Sequence, residues 1–361
     1  MLPDSKELCD LLVIFDKIAI IWQIKNLKLD TNGHYKDSEV KKNIRQLSGA
    51  RRQLFDLKTA VNLKNPRRSN VDFTPSQIIE VYLISVLLGE GEDFFPFVET
   101  IRAHTVHVFT ESFTKAVLTE LDTIADFISY LREKESLLNQ DKRITIFGGE
   151  EQLLGFYLLN NRSFSRLVTA TDVILDDDIW HGLQHEARYK AKRKEDEISY
   201  GWDSIINRAH EGSSGYELVA RELARPTRFQ RRFLSKCFYD AHVKAHEDNL
   251  ANAFRRVLSF NGITYCFVFC DEKESHDTRK SMLYATCFVA RGKYIDNKLV
   301  LGIATEKHFS QSCSYDFCLL EMPTWTNENQ SQMEEIQNEF GILVSPTETR
   351  IEEKEYPETS Q

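Results

Sequence analysis

Residues 7–25 read ELCDLLVIFDKIAIIWQIK. Two runs of large and β-branched residues, 8–15 and 18–25, flank Asp16-Lys17, the pattern of two strands joined by a short turn. Their near-continuous hydrophobicity predicts a sheet covered on both faces. With a short, symmetric connection, residues whose numbers sum to 33 face each other, so Phe15 meets Ile18 and Asp10 meets Gln23. Opposed residues lie about 4.5–5.5 Å apart on one sheet face, and the two-residue period brings Lys25 to that face as well. Asp-Lys is a poor pair for a type I′ turn, which wants Asn or Gly at positive φ, so a four-residue loop is the alternative; symmetric lengthening keeps the register.

Three polar groups converging within apolar strands need a reason, because a buried charge is costly unless it is paired or binds a metal. Mg²⁺ takes a few carboxylate and carbonyl oxygens plus waters, and Asp10 with the side-chain oxygen of Gln23 offers two such positions. Lys25 would orient the attacking water and stabilise charge developing on a phosphate. The competing structural reading is a solvent-facing strand end with Lys25 in a weak ion pair.

Asp10, then Gln-Ile-Lys across a hairpin, then a helix, resembles the PD-(D/E)XK nuclease superfamily. The resemblance covers about residues 7–57 and implies a restriction-endonuclease-like mixed-sheet core, Mg²⁺ as cofactor with Mn²⁺ as a substitute, and hydrolysis of nucleic acid, DNA first, in the manner of defence against foreign DNA. By it, Asp10 matches the metal-binding aspartate and Lys25 the lysine. Gln23 stands where Asp or Glu is usual, in the Q-x-K form of Mrr-like restriction endonucleases. Glu7 resembles an additional acidic metal ligand, and Gln46 a glutamine placed near the scissile phosphate. The family's core normally has a helix and a strand ahead of the aspartate, whereas nine residues precede Asp10.

Beyond the hairpin, Asp37-Ser38-Glu39 offers a helix start, and Val40, Ile44, Leu47, Ala50, Leu54 and Leu57 follow at helical spacing. A basic turn, NLKNPRRSN, leads to a strand at 78–88, a short strand at 106–109 and helices at 112–121 and 123–138. This order predicts a mixed sheet carrying helices, hence an α/β fold. A polar break at 139–143 sets the expected division: a nuclease-like domain at 1–140, an α+β domain of recognition or control at 141–347, and an acidic, disordered tail at 348–361. In the second domain the spacing predicts helices at 155–160, 180–197 and 215–245, then strands at 263–270, 281–290 and 299–303.

The chain of 361 residues, 42% hydrophobic and 28% charged, has a globular composition and exceeds one ordinary core. No apolar run reaches the ~20 residues of a membrane span, and no basic-then-apolar leader opens it, so a cytoplasmic protein without a membrane partner is expected. Seven scattered cysteines suggest reduced thiols. A net charge of −9 excludes a uniformly basic surface but not a basic channel. Candidate phosphate contacts are Arg67 and Arg68 in the basic turn, and Arg228, Arg231 and Arg232 in a second basic series. His181 and His185, four apart after Asp176–Asp178, form a rival metal motif that lacks the glutamate of H-E-x-x-H. A homo-oligomer or a partner subunit is compatible with all of this. The alternative to an enzyme is a catalytically silent nucleic-acid-binding or assembly subunit on the same scaffold.

Overall fold

Phe15 pairs with Ile18 and Leu11 with Trp22, so the first hairpin closes with a two-residue turn and the register is the one the sequence predicts. Asp16 supplies the positive φ (54°) that a tight turn requires, making the four-residue loop unnecessary. This is a computed structural model; it describes residues 7–57, 61–65, 68–89, 98–140, 143–247, 253–308 and 313–357. They divide into two compact units, Met1–Glu186 and Ala187–Gln361.

In the first unit β1 (Leu11–Phe15) and β2 (Ile18–Asn26) precede α1 (Asp37–Phe55) and a small hairpin, β3 (Asn62–Asn65) and β4 (Arg68–Asp72). Then come β5 (Glu80–Leu88), β6 (Val98–Ile101), β7 (His104–Thr110), α2 (Glu111–Glu120) and α3 (Ile124–Leu138). The five-stranded sheet has the order β1-β2-β5-β7-β6, with β2, β5 and β7 parallel and both outer strands antiparallel. One face buries Ile21, Leu83, Leu87, Val106 and Val108 against Val40, Ile44, Leu47 and Leu54 of α1. The other face stacks Trp22 on Phe127 of α3, ring centroids 5.5 Å apart. Both faces are thus covered over β2 and β5, which read as near-continuous apolar runs, whereas Leu11 and Ile14 of edge strand β1 are exposed.

The first unit continues through β8 (Arg143–Ile146), α4 (Glu151–Leu159), α5 (Ser165–Val168), β9 (Asp172–Leu175) and α6 (Ile179–His185). The polar break at residue 140 is therefore not the boundary. Tyr157 of α4 packs edge-on against Tyr130 of α3, and fully buried Lys134 meets Glu150 at 2.5 Å, which ties the segment after the break to the helix before it. The helix expected at 180–197 is two: Glu186 is extended (φ −65°, ψ 129°) between α6 and α7 (Ala187–Asp196).

In the second unit α7 is followed by α8 (Tyr200–Glu211), α9 (Glu217–Ala224), α10 (Arg228–Glu247), β10 (Phe254–Phe260), β11 (Ile263–Cys270), α11 (His276–Lys293), β12 (Leu299–Glu306), β13 (Asp316–Glu321) and α12 (Asn327–Phe340). Pro226 separates α9 from α10, splitting the helix expected at 215–245. The sheet runs β10-β11-β12-β13, with β11 and β12 parallel around α11 and both edges antiparallel.

The stretch expected as a strand at 281–290 lies inside α11. Ser275 caps this helix, its hydroxyl accepting from the Thr278 N–H (3.1 Å). Leu283, Cys287 and Ala290 face the sheet while Phe288 and Val289 meet Met333 of α12. Burial on two sides removes the polar stripe by which a helix is recognised. Gly302 on β12 permits the close approach: a Cβ there would lie 2.5 Å from the Cys287 sulfur.

The segment expected as a disordered tail is held as far as it is described. Arg232 donates to the carbonyls of Lys354 (2.6 Å) and Glu355 (3.1 Å), and Lys236 reaches Glu353 at 2.8 Å. All seven cysteines are free thiols. Among the described residues, no helix is long and apolar enough to cross a membrane.

Candidate active site

Asp10 ends the first hairpin. Its N–H donates to the carbonyl of Trp22 (3.2 Å), the residue already opposite Leu11, so the regular ladder stops at β1. Its Oδ2 then accepts from the Gln23 side-chain nitrogen (2.7 Å) and from the Ile24 N–H (2.5 Å). A carboxylate thus takes the place of the next ladder carbonyl, and the predicted meeting of Asp10 and Gln23 is a direct contact. Asp10 is exposed and Gln23 half-buried, so the pair opens to solvent.

Gln23 and Lys25 lie on the face that carries α1. Lys25 Nζ stands 4.0 Å from the Glu39 carboxylate in the first turn of α1, with both side chains over a third exposed. Such a pair is worth under about 1 kcal/mol, so the ammonium is free to exchange partners. Behind them sits Asn43, fully buried on α1. Its Nδ2 donates to the Gln23 carbonyl (3.2 Å) and to the hydroxyl of buried Ser85 on β5 (2.8 Å), pinning helix and two parallel strands together. Asn43 Oδ1 is buried without a hydrogen-bond partner among the described residues, an unusual state for an interior amide.

Two other predicted members are not brought in. Glu7 is exposed ahead of β1, with no hydrogen bond to Asp10 or Gln23, and Gln46 is exposed on α1. Burial, then the charges of Asp10 and Glu7, pushes the neighbouring Cys9 thiol up to about 11. Without a metal beside it, the thiol therefore stays protonated at neutral pH.

Asn43, Ser85 and Glu39 were not picked out from the sequence. Asn43 had a readable signal: it lies three residues from Val40 and four from Leu47, on the buried stripe of α1 where an amide is out of place. Ser85 is the one serine inside the run EVYLISVLL, buried at the centre of β5.

The proposed phosphate contacts fare differently. Arg67 lies outside the described residues, and Arg68 begins β4. Arg228, Arg231 and Arg232 are buried on α10, and this overturns their reading as phosphate contacts. Arg228 and Arg231 share the Asp203 carboxylate (2.8 and 2.6 Å), and Arg232 pairs with Asp196 (2.9 Å). Arg231 also donates to the carbonyls of Pro226 (3.0 Å) and Ala224 (2.6 Å) at the α9–α10 junction. Guanidinium groups buried and bonded in this way fasten helices to one another and do not face a phosphate. The rings of His181 and His185 lie tilted with centroids 4.2 Å apart, and His185 Nδ1 lies 2.9 Å from the His181 carbonyl. Among the described residues no group of three or more His, Cys, Asp or Glu side chains is placed to hold a metal ion.

Comparison with known proteins finds no matching family model, no matching curated protein and no matching solved structure.

Proposed function

We propose that the first unit is a metal-dependent nuclease that hydrolyses phosphodiester bonds of nucleic acid, DNA foremost, with Asp10, Gln23 and Lys25 as its active residues. The observation that carries the reading is the joined pair Asp10–Gln23, with Lys25 two residues on, at the carboxyl end of a strand in a parallel pair. In open α/β sheets the crevice outside the carboxyl ends of the strands is the usual ligand site. The resemblance of these residues to the PD-(D/E)XK pattern supports the same assignment.

The donor set fits Mg²⁺ in part. Asp10 Oδ1 and Gln23 Oε1 are hard oxygens outside the Asp10–Gln23 hydrogen bond, and Mg²⁺ characteristically takes one or two carboxylates and fills its remaining positions with water and substrate oxygens. When bound, the ion would lower the pKa of a coordinated water and neutralise charge on the phosphate. Asp10 and Gln23 would hold it, and Asn43 with Ser85 would fix the strand that presents them. Lys25, drawn from Glu39, would orient the water and stabilise the developing negative charge. The second unit would serve recognition or control.

A second reading, the catalytically silent nucleic-acid-binding subunit, is favoured by one detail. Gln23 turns its amide nitrogen toward Asp10, and the same Asp10 oxygen terminates the ladder at Ile24, so the pair already satisfies itself. Incubation of supercoiled plasmid with the protein in Mg²⁺, Mn²⁺ or EDTA separates the two. The nuclease reading expects metal-dependent nicking that Asp10→Asn abolishes while the circular-dichroism spectrum is unchanged. Full activity in folded Asp10→Asn protein, or none in the wild type with either metal, refutes it.

A further inference from the structure

Helix α1 carries a second pattern that the candidate site does not use. Its sequence, DSEVKKNIRQLSGARRQLF, holds five basic side chains against two acidic ones, in a chain of net charge −9. Both acids, Asp37 and Glu39, lie in the first turn, where they complement the helix dipole. Val40, Ile44, Leu47, Ala50 and Leu54 are buried, while Lys41, Lys42, Arg45 and Arg52 are exposed. Intervals of four and seven align Lys41, Arg45 and Arg52 down the side away from the sheet, with Lys42 beside them.

Most of this charge is uncompensated. Lys41 is tied to Asp37 (2.5 Å) and Arg51 to Asp56 (3.1 Å). Lys42 and Arg52 have no ion pair among the described residues. Arg45 donates its Nε to the Lys41 carbonyl (3.2 Å), which spends none of its charge on a carboxylate. The positions three and four residues from Arg45 are Lys41, Lys42, Ser48 and Gly49, so its helix neighbours include like charges and no acid. Like charges at that spacing destabilise a helix, and a surface arranged for solubility alone intersperses signs.

The stripe is also well placed. Lys42 follows by one turn Glu39, whose carboxylate lies 4.0 Å from Lys25, so the stripe starts near the candidate site. From Lys42 to Arg52 the helix covers about 15 Å at 1.5 Å per residue. That length matches about four base pairs of duplex at 3.4 Å each.

We propose that Lys42, Arg45 and Arg52 are the surface on which a nucleic-acid phosphate backbone docks, leading it to Asp10, Gln23 and Lys25. The choice of nucleic acid over other polyanions rests on the function proposed above. The test measures binding of the full chain to fluorescently labelled DNA duplex in EDTA, where nothing is cut, by anisotropy across a salt series. For the triple variant Lys42→Gln, Arg45→Gln, Arg52→Gln the slope of log affinity against log salt should flatten by roughly 2–3, about 0.9 for each lost phosphate contact. The residues are exposed, and an unchanged melting temperature verifies that the fold is intact. An unchanged slope and affinity in the folded triple variant overturns the proposal, as does equal wild-type affinity for poly-glutamate. The nuclease reading fails separately, by absence of metal-dependent cutting in a wild type whose binding still depends on the stripe. If the wild type nicks plasmid and the triple variant nicks as fast at subsaturating DNA, the stripe is refuted and the nuclease stands.

Discussion

Replacement of Arg232 by alanine should destabilise the second unit by about 3 kcal/mol. The guanidinium is 1% exposed; it donates to Asp196 Oδ1 at 2.9 Å and to the carbonyls of Lys354 and Glu355 at 2.6 and 3.1 Å. Removing one partner of a buried pair typically costs 3–5 kcal/mol, because the other charge stays buried without compensation. Here Asp196 keeps Lys192 at 2.6 Å, which puts the expected loss at the low end of that range. About 3 kcal/mol corresponds to roughly a hundredfold larger opening equilibrium. Hydrogen exchange reads it directly: amides of α10 and of residues 353–356 should exchange roughly a hundredfold faster, while those of β2 and β5 in the first unit keep their rates. Arg232→Lys retains the charge without the planar fork that meets Asp196 and two carbonyls, so it should rescue only part of the loss. If Arg232→Ala changes stability by less than about 0.5 kcal/mol and instead flattens the salt dependence of DNA binding, the guanidinium is a phosphate contact and the reasoning is wrong.

Lys25→Met, which keeps the apolar stem, should lower the single-turnover cleavage rate by ~10²–10³ while leaving DNA affinity in EDTA within about twofold, and a wild-type rate would remove Lys25 from the chemistry. His107 is buried against Glu135, and burial outweighs that hydrogen bond to push its imidazole down to about 4. The unfolded chain therefore takes up this proton first, near 6.5. The stability contributed by neutral His107 is complete above that pH and is lost as pH falls toward 4, by about 3 kcal/mol in all; a urea titration series on His107→Gln should show that dependence abolished. Burial raises the Glu306 carboxyl, but hydrogen bonds from Ser314 and the Arg279 guanidinium prevail and hold it down at about 2. Stability from this group is present above about 4.5 and lost as pH falls from there to about 2. Glu306→Gln should flatten acid unfolding in that window, and an unchanged acid profile would show the pairing to be energetically idle.

The first unit was legible where one physical signal dominated. The hairpin register followed from the short symmetric connection at Asp16-Lys17, and α1 from its 3.6-residue apolar spacing. The second unit concealed its signals. α11 is buried against the sheet on one side and α12 on the other, so SMLYATCFVA shows no polar stripe and reads equally well as a buried strand. The domain boundary was misplaced for a related reason. The polar residues at 139–143 mark the end of α3, yet whether a chain break separates domains depends on what packs across it. The buried Lys134–Glu150 pair spans that break, and no local composition reveals a contact between residues sixteen apart.

The arginines show why charge in sequence is a poor guide to a binding surface. Arg228, Arg231 and Arg232 stand in a basic cluster, and their partners Asp203 and Asp196 lie 25 or more residues away, on α8 and α7. Those separations are invisible to i,i+4 reasoning, which treats a missing local acid as a free cation. On α1 the position differs: Lys42, Arg45 and Arg52 are exposed on the face opposite the apolar stripe, and a side chain on that face cannot be consumed by the core beneath it. Amphipathic position, more than the density of basic residues, is what separates a guanidinium that fastens helices from one that can meet a phosphate. Asn43 is the converse case, a polar side chain on the apolar stripe, and it leads to the Gln23 carbonyl and the candidate site. On α1 the inward amide breaks the amphipathic pattern and the outward cations keep it, and the two mark the candidate site and the proposed docking surface.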